Sequence, residues 1–181
     1  MSEVAVAHGA GSESTGGHRP SSEERFDAFV GARGGALWRS AWLLTGDSHL
    51  AEDLVQTALA KAWPKWRGID DEGRFEAYVR RTLFTTYVAW WRRKWNGERP
   101  TASPPDTAGA TADADLGHDL MTALTGLPRM QRAVVVCRWF EDLTEAQTAE
   151  RLGISVGTVK SHGSRALAAL RSSPYLREEQ S

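Results

Sequence analysis

The chain has 181 residues, 22 basic against 23 acidic side chains, and a formal net charge of −1. That length fits one medium domain or two small ones, and the near-neutral charge excludes a protein that holds nucleic acid by bulk electrostatics alone. A single cysteine, Cys137, excludes an internal disulfide and leaves no zinc set with the scattered histidines, and no apolar run is long enough to span a membrane.

Residues 1–22 are rich in Gly, Ser, Ala and His and lack the basic start and apolar run of a signal peptide. They predict a disordered tail on a soluble, cytoplasmic protein. Helical periodicity then predicts three helices in a first bundle over 23–96. They are Glu23–Leu44, closed by Gly46; Leu50–Trp63, stopped by Pro64; and Arg74–Asn96, closed by Gly97. Residues 97–117 hold Pro100, Pro104 and Pro105 and almost no large apolar side chain, so they predict a flexible linker. About twenty such residues span on the order of 25 Å, which lets two blocks dock at separate sites. A second bundle over 118–173 begins with a helix His118–Thr125 and another from Pro128, at a first helical position, to Glu141. Residues 174–181 form a short tail. The fold class is all-α: two small helical bundles on a flexible tether.

In the second predicted helix, Ala51, Leu54, Val55, Ala58, Leu59 and Ala62 form a core stripe. The opposite side carries Asp53, Gln56, Thr57 and Ala60, small and acidic groups that fit either a solvent face or a seat for another helix pair. The third helix is apolar on two faces. Phe75, Val79, Leu83, Thr86 and Trp90 share one stripe, and Phe84, Val88, Trp91 and Trp95 the other. Arg80, Arg81 and Arg92 flank the second stripe, with Arg93 and Lys94 close by. Either both stripes are buried, or the aromatic rings edged by arginine stack unpaired bases, worth roughly 1–3 kcal/mol each. A mixed case fits best, with Phe84 and Val88 in the core and Trp91 and Trp95 exposed. The loop Arg67–Gly73 is an exposed turn and a candidate for reading an extruded base.

The segment from Thr144 to His162 reads as a helix-turn-helix. Thr144 caps a first helix with Gln147 as reciprocal partner, Gly153 supplies the positive φ of the turn, and Ser155 caps the next helix. Leu152, Ile154 and Val159 point inward. Val156, Thr158, Lys160, Ser161, Ser164 and Arg165 are left on a helix able to enter a major groove. Ile154 to Ser173 contains no acid, which suits phosphate contact. The alternative is an ordinary helical corner.

Ala51-Glu52-Asp53-Leu54-Val55-Gln56 followed by Ala62-Trp63 resembles the polymerase-binding helix of bacterial sigma factors. Tyr78-Val79-Arg80-Arg81 and Trp90-Trp91-Arg92-Arg93 resemble the promoter-melting helix, and Val156 to Ser161 with Ser164-Arg165-Ala166 resembles the recognition helix. The two-domain plan is similar to the extracytoplasmic-function group, nearest its SigE-like actinobacterial branch. The resemblance implies promoter-specific initiation without catalysis or cofactor. Glu52, Asp53, Gln56, Thr57 and Ala60 would meet the clamp helices of core RNA polymerase. Arg80, Arg81, Trp91, Arg92, Arg93, Lys94 and Trp95 would melt the −10 element. Ser155, Val156, Thr158, Lys160, Ser161, His162, Ser164 and Arg165 would read the −35 element, the second block would touch the flap, and the linker would thread toward the RNA exit path. The family often pairs with an anti-sigma factor, and the free chain would be a monomer. Thr85 and Ala89 stand where the family often has Asn and Asp. Gly163 either admits a close backbone approach or weakens the recognition helix by about 1 kcal/mol relative to Ala. Two other readings are a dimeric helix-turn-helix regulator that ignores polymerase and an enzyme. No glycine-rich phosphate loop, nucleophile elbow or metal-ligand spacing supports the enzyme.

Overall fold

A computed structural model describes residues 20–69, 71–94 and 112–176. Residues 1–19, 70, 95–111 and 177–181 lie outside it, and with them most of the expected tails and linker and Trp95. Among the described residues there is no strand.

The first bundle contains α1 (Ser22–Thr45), α2 (Ser48–Trp66) and α3 (Glu72–Lys94). Ser21 opens α1 with a capping box to Glu24, and Gly46, at φ 71°, closes it. Asp47 caps α2 through the Leu50 amide at 2.9 Å. Asp71, in the expected base-reading loop, accepts from the Arg74 amide at 2.9 Å and so caps α3. Pro64 does not stop α2, which runs one turn further to Trp66. An interior proline costs about 3 kcal/mol, and burial of Trp66 offsets it. Its ring is 3 % exposed, meets Phe75 edge-on at a centroid distance of 4.7 Å, and its Nε1 donates to the Ser22 carbonyl at 2.8 Å. Phe26 and Phe29 complete this aromatic end of the bundle.

The second bundle contains α4 (Ala112–Thr125), α5 (Arg129–Val135), α6 (Glu145–Leu152) and α7 (Val156–Ser172). Helix α4 starts six residues before the expected His118, inside the stretch read as linker. Alanine propensity, with aspartates in the first turn, favours that start. Pro128 directly precedes α5 rather than opening it. Helix α5 passes into a π-helical turn, Val136–Phe140, whose wider winding carries Trp139 and Phe140 out to solvent while Val136 and Cys137 stay buried. Leu124, Ala133, Val134, Val136, Leu152, Val159 and Ala166 fill the centre.

The two bundles pack against each other, and one connected apolar cluster runs through both. At the end of α1, Gly46 comes so near the second bundle that a Cβ there would collide with Thr125 Cγ2. The same glycine therefore serves the left-handed cap and the close approach.

Candidate nucleic-acid interface

The outer side of α2 is as open as its pattern predicts. Glu52, Asp53, Gln56 and Ala60 are exposed and Thr57 is half-buried, while Ala51, Leu54, Val55, Ala58 and Ala62 are buried beneath them. The face is short-chained and acidic, and a long Gln56–Glu52 contact at 3.4 Å ties it locally.

Helix α7 presents a second open face. Thr144 and Gln147 form the capping box of α6, Gly153 takes φ 65°, and the Ser155 hydroxyl accepts from the Thr158 amide at 3.1 Å. Leu152 and Val159 are buried and Ile154 packs half-buried on the core, which fixes α6 against α7. Ser155, Val156, Lys160, Ser164 and Arg165 are exposed; Thr158, Ser161 and His162 are half-buried. The Thr158 hydroxyl is engaged by Ser155 at 2.8 Å, so it supports the helix start as well as facing outward. Lys160 lies 3.7 Å from Glu145 in an exposed pair, a contact worth about 0–1 kcal/mol and easily exchanged for phosphate. Gly163 is buried and faces inward: a Cβ there would meet Trp139 at 3.6 Å and Val134 at 3.7 Å. Its closeness is to the π turn of its own bundle, not to an outside ligand.

The arginine side of α3 differs. Arg80 donates to Glu76 through Nε at 3.0 Å and to both oxygens of Glu141, at the end of the π turn, at 2.6 and 2.8 Å. Glu141 also accepts from the Ser40 hydroxyl on α1 and lies 3.9 Å from Arg151 on α6. Its side chain is 6 % exposed, so this carboxylate is a buried hub with two guanidinium partners. Arg33 extends the chain of charges through Glu76 at 3.2 Å. Removing one partner of such a buried pair costs about 3–5 kcal/mol. Arg81 pairs with Glu150 of α6 at 3.1 Å, but both side chains are more than half exposed, so that contact contributes about 0–1 kcal/mol.

Further along α3, Trp91 is half-buried rather than free. The Arg129 guanidinium lies 3.5 Å from its ring centroid, and Tyr87 meets it edge-on at 6.0 Å. Arg92 and Arg93 are exposed. Trp95 and the side chain of Lys94 lie outside the described residues. Phe84 and Val88 are core, as their stripe predicts. Thr85 is exposed and its hydroxyl bonds the Thr82 carbonyl at 3.1 Å; Ala89 is half-buried.

Two residues that the sequence did not single out join the bundles. Glu141 is one. Arg132 is the other: 7 % exposed, it donates to the carbonyls of Leu44 at 3.1 Å and Thr125 at 2.7 Å. Leu44 lies in the last turn of α1, whose dipole is negative there and offsets a buried cation without a carboxylate. Burial lowers the Arg132 pKa and raises that of Tyr87 beside it. Burial also pushes the Cys137 thiol up to about 12, as expected of a core cysteine.

Three helices packed in the order α1, α2, α3, followed by a helix-turn-helix bundle, define a class. The chain matches the family "Sigma-70 region 2" over residues 29–97 and the family "Sigma-70, region 4" over residues 123–172. It is 42 % identical over 151 residues to the RNA polymerase sigma-E factor of Streptomyces coelicolor, covering 81 % of this chain and 84 % of that one. It is 35 % identical to the ECF RNA polymerase sigma factor SigL of Mycobacterium tuberculosis, covering 75 % and 80 %. Among solved structures it is similar to the sigma factor RpoE of Bartonella quintana, in complex with the anti-sigma factor NepR, at a TM-score of 0.59 and 24 % identity over 81 % of this chain and 94 % of that one. It is also similar to CnrH, in complex with the cytosolic domain of CnrY, at 0.55 and 23 % over 82 % and 86 %. The chain belongs to the bacterial sigma-70 family. Within that family it is an extracytoplasmic-function sigma factor of the SigE-like kind. It therefore gives RNA polymerase its promoter specificity at initiation, binds core polymerase and promoter DNA, and is not an enzyme. The readings as a stand-alone regulator and as an enzyme fall with that assignment. Among the described residues no helix is long and apolar enough to cross a membrane.

Proposed function

We propose a residue-level division of this work. The α2 face of Glu52, Asp53, Gln56, Thr57 and Ala60 seats the clamp helices of core polymerase. On α3, Arg80, Arg81, Arg92 and Arg93, with Trp91, Lys94 and Trp95, engage the melted −10 element. On α7, Ser155, Val156, Thr158, Lys160, Ser161, His162, Ser164 and Arg165 read the −35 element. Residues 97–111 join the two across the polymerase, and the second bundle also meets the flap. The carrying observation is the open, acidic, short-chained face of α2 placed on one helix while basic groups occupy the next. An acidic seat recruits a basic protein partner, and the basic helix beside it is left for phosphate and bases.

Val156 supports the α7 reading. It stands exposed in the first turn of α7, 40 % accessible, where a recognition helix meets base edges and an apolar group contacts the thymine methyl. Helix α7 has no acid in its first turn and ends with Arg171, so its whole outer side is compatible with the duplex backbone. An anti-sigma factor is a further proposed partner, because the Bartonella quintana relative was captured with one. The proposed place of action is the cytoplasm, and the free chain is a monomer.

The test is reconstituted transcription with purified core polymerase on promoter DNA selected by the holoenzyme. Wild type yields a promoter-specific transcript, and Asp53→Arg lowers holoenzyme assembly more than tenfold, about 1.4 kcal/mol or more. Unimpaired assembly by Asp53→Arg overturns the α2 assignment.

A further inference from the structure

A cleft of about 560 Å³ opens between α3 and α5. Pockets that take small organic ligands measure roughly 300–1,000 Å³. Val88, Leu127 and Met130 give the cleft an apolar wall. Its charged groups are all of one sign: Arg92, Arg129 and Arg132 line it, and among the described residues no carboxylate does.

The polar groups at its floor lack acceptors. The buried Tyr87 hydroxyl has no hydrogen-bond acceptor among the described residues. The Trp91 indole beside it can only donate, so it leaves the phenol proton unused. Arg132 gives Nη1 and Nη2 to the carbonyls of Leu44 and Thr125, yet its buried Nε–H has no acceptor. Arg129 lies flat over the Trp91 ring and, among the described residues, pairs with no carboxylate. A guanidinium stacked on a ring keeps its N–H edges for a planar, bidentate acceptor. The three groups are close neighbours: both arginines act on the Tyr87 hydroxyl, and each cation is felt by the other.

Buried donors in a folded chain are normally paired, so donors left over around one cleft mark a place for an acceptor from outside. Water supplies an acceptor, but it neither balances the guanidinium charges nor gains from the apolar wall. A carboxylate does the first, and an apolar body attached to it does the second.

We propose that this cleft is a binding site for a small organic carboxylate with a flat apolar body. The carboxylate is held by Arg129, Arg132 and the Tyr87 hydroxyl, and the body lies against Val88, Leu127 and Met130. The site stands on the cleft itself and does not rest on the assignment of α3 to promoter DNA.

Calorimetric titration of the full-length chain with 2-naphthoate tests it. Two controls separate the parts of the ligand: 2-naphthalenemethanol has the body without the charge, and acetate has the charge without the body. Wild type binds 2-naphthoate, and each control binds at least about tenfold more weakly. Arg129→Gln weakens 2-naphthoate about tenfold or more, Arg129→Lys recovers part of the loss, and Tyr87→Phe weakens it by about fivefold. Amide resonances of Val88, Leu127 and Met130 shift on titration of the unaltered chain, a readout that needs no variant to fold. No binding by wild type up to about 1 mM overturns the site. Equal binding of the alcohol, or unchanged affinity in both Arg129→Gln and Tyr87→Phe, overturns the anion-holding role. Resonance shifts confined to other parts of the chain overturn the location.

Discussion

Helices α7 and α3 carry similar-looking basic faces, yet the first stands in solvent and the second lies under another part of the molecule. On α7 the pair of Lys160 with Glu145 is long and exposed. On α3, Arg80 is held by a carboxylate that is itself buried. The difference teaches that the basic residues of a helix do not by themselves describe a binding surface. What matters is whether a group elsewhere in the chain has already taken the charge.

Four substitutions or conditions sharpen or break this contrast. The largest effect is expected from Val159→Asp, which places an unpaired carboxylate in the packed layer under α7. It lowers stability by about 3 kcal/mol or more and removes −35 recognition, read by thermal unfolding and duplex binding. Arg165→Ala, on the open face, weakens holoenzyme binding to duplex promoter by about 1–3 kcal/mol and flattens the salt dependence by about one unit of slope. Free-chain stability shifts by less than about 0.5 kcal/mol, because Arg165 is an exposed surface side chain. Arg81→Ala reduces open-complex formation in the holoenzyme but shifts free-chain stability by less than about 1 kcal/mol, since its pair with Glu150 is exposed. A larger shift would mean that the Arg81–Glu150 pair holds the two bundles together more firmly than its exposure implies.

The smallest effect near neutrality concerns Cys137. Its thiol is neutral in both folded and unfolded chains below about pH 9, the ordinary thiol value, and stays neutral in the folded chain up to about 12. Folding stability is therefore insensitive to this group at pH 7–8 and falls as pH rises from about 9 toward 12, where only the unfolded chain ionises. Cys137→Ala removes that part of the alkaline loss, measured by denaturant unfolding across the range.

Much of the fold was legible because each signal is local. The Thr144–Gln147 box, the Gly153 turn and the Ser155 cap need only neighbouring residues, and each forms as its sequence implies. Pro64 misled for the opposite reason. Its cost is local, but the compensation comes from Trp66 meeting Phe26, Phe29 and Phe75, three side chains distant in sequence. Gly163 was ambiguous because periodicity does not say which neighbour occupies the space above it; Trp139 does, carried there by a π turn that no simple pattern announces. Trp91 was read as a bare ring for a similar reason, since Arg129 lies 38 positions away by number in a different bundle. Glu141 and Arg132 escaped notice altogether: one carboxylate at a helix end and one arginine in an apolar run carry no motif, and their importance appears only when both bundles are in place.

Photo-crosslinking from position 81 tests the central claim most directly, with Arg81 replaced by a benzoyl-phenylalanine. In the free chain the crosslink should fall on the second bundle around Glu150, and in the holoenzyme with promoter it should move to DNA of the melted strand. A crosslink that stays on the second bundle in the promoter complex, with none to DNA, would contradict it.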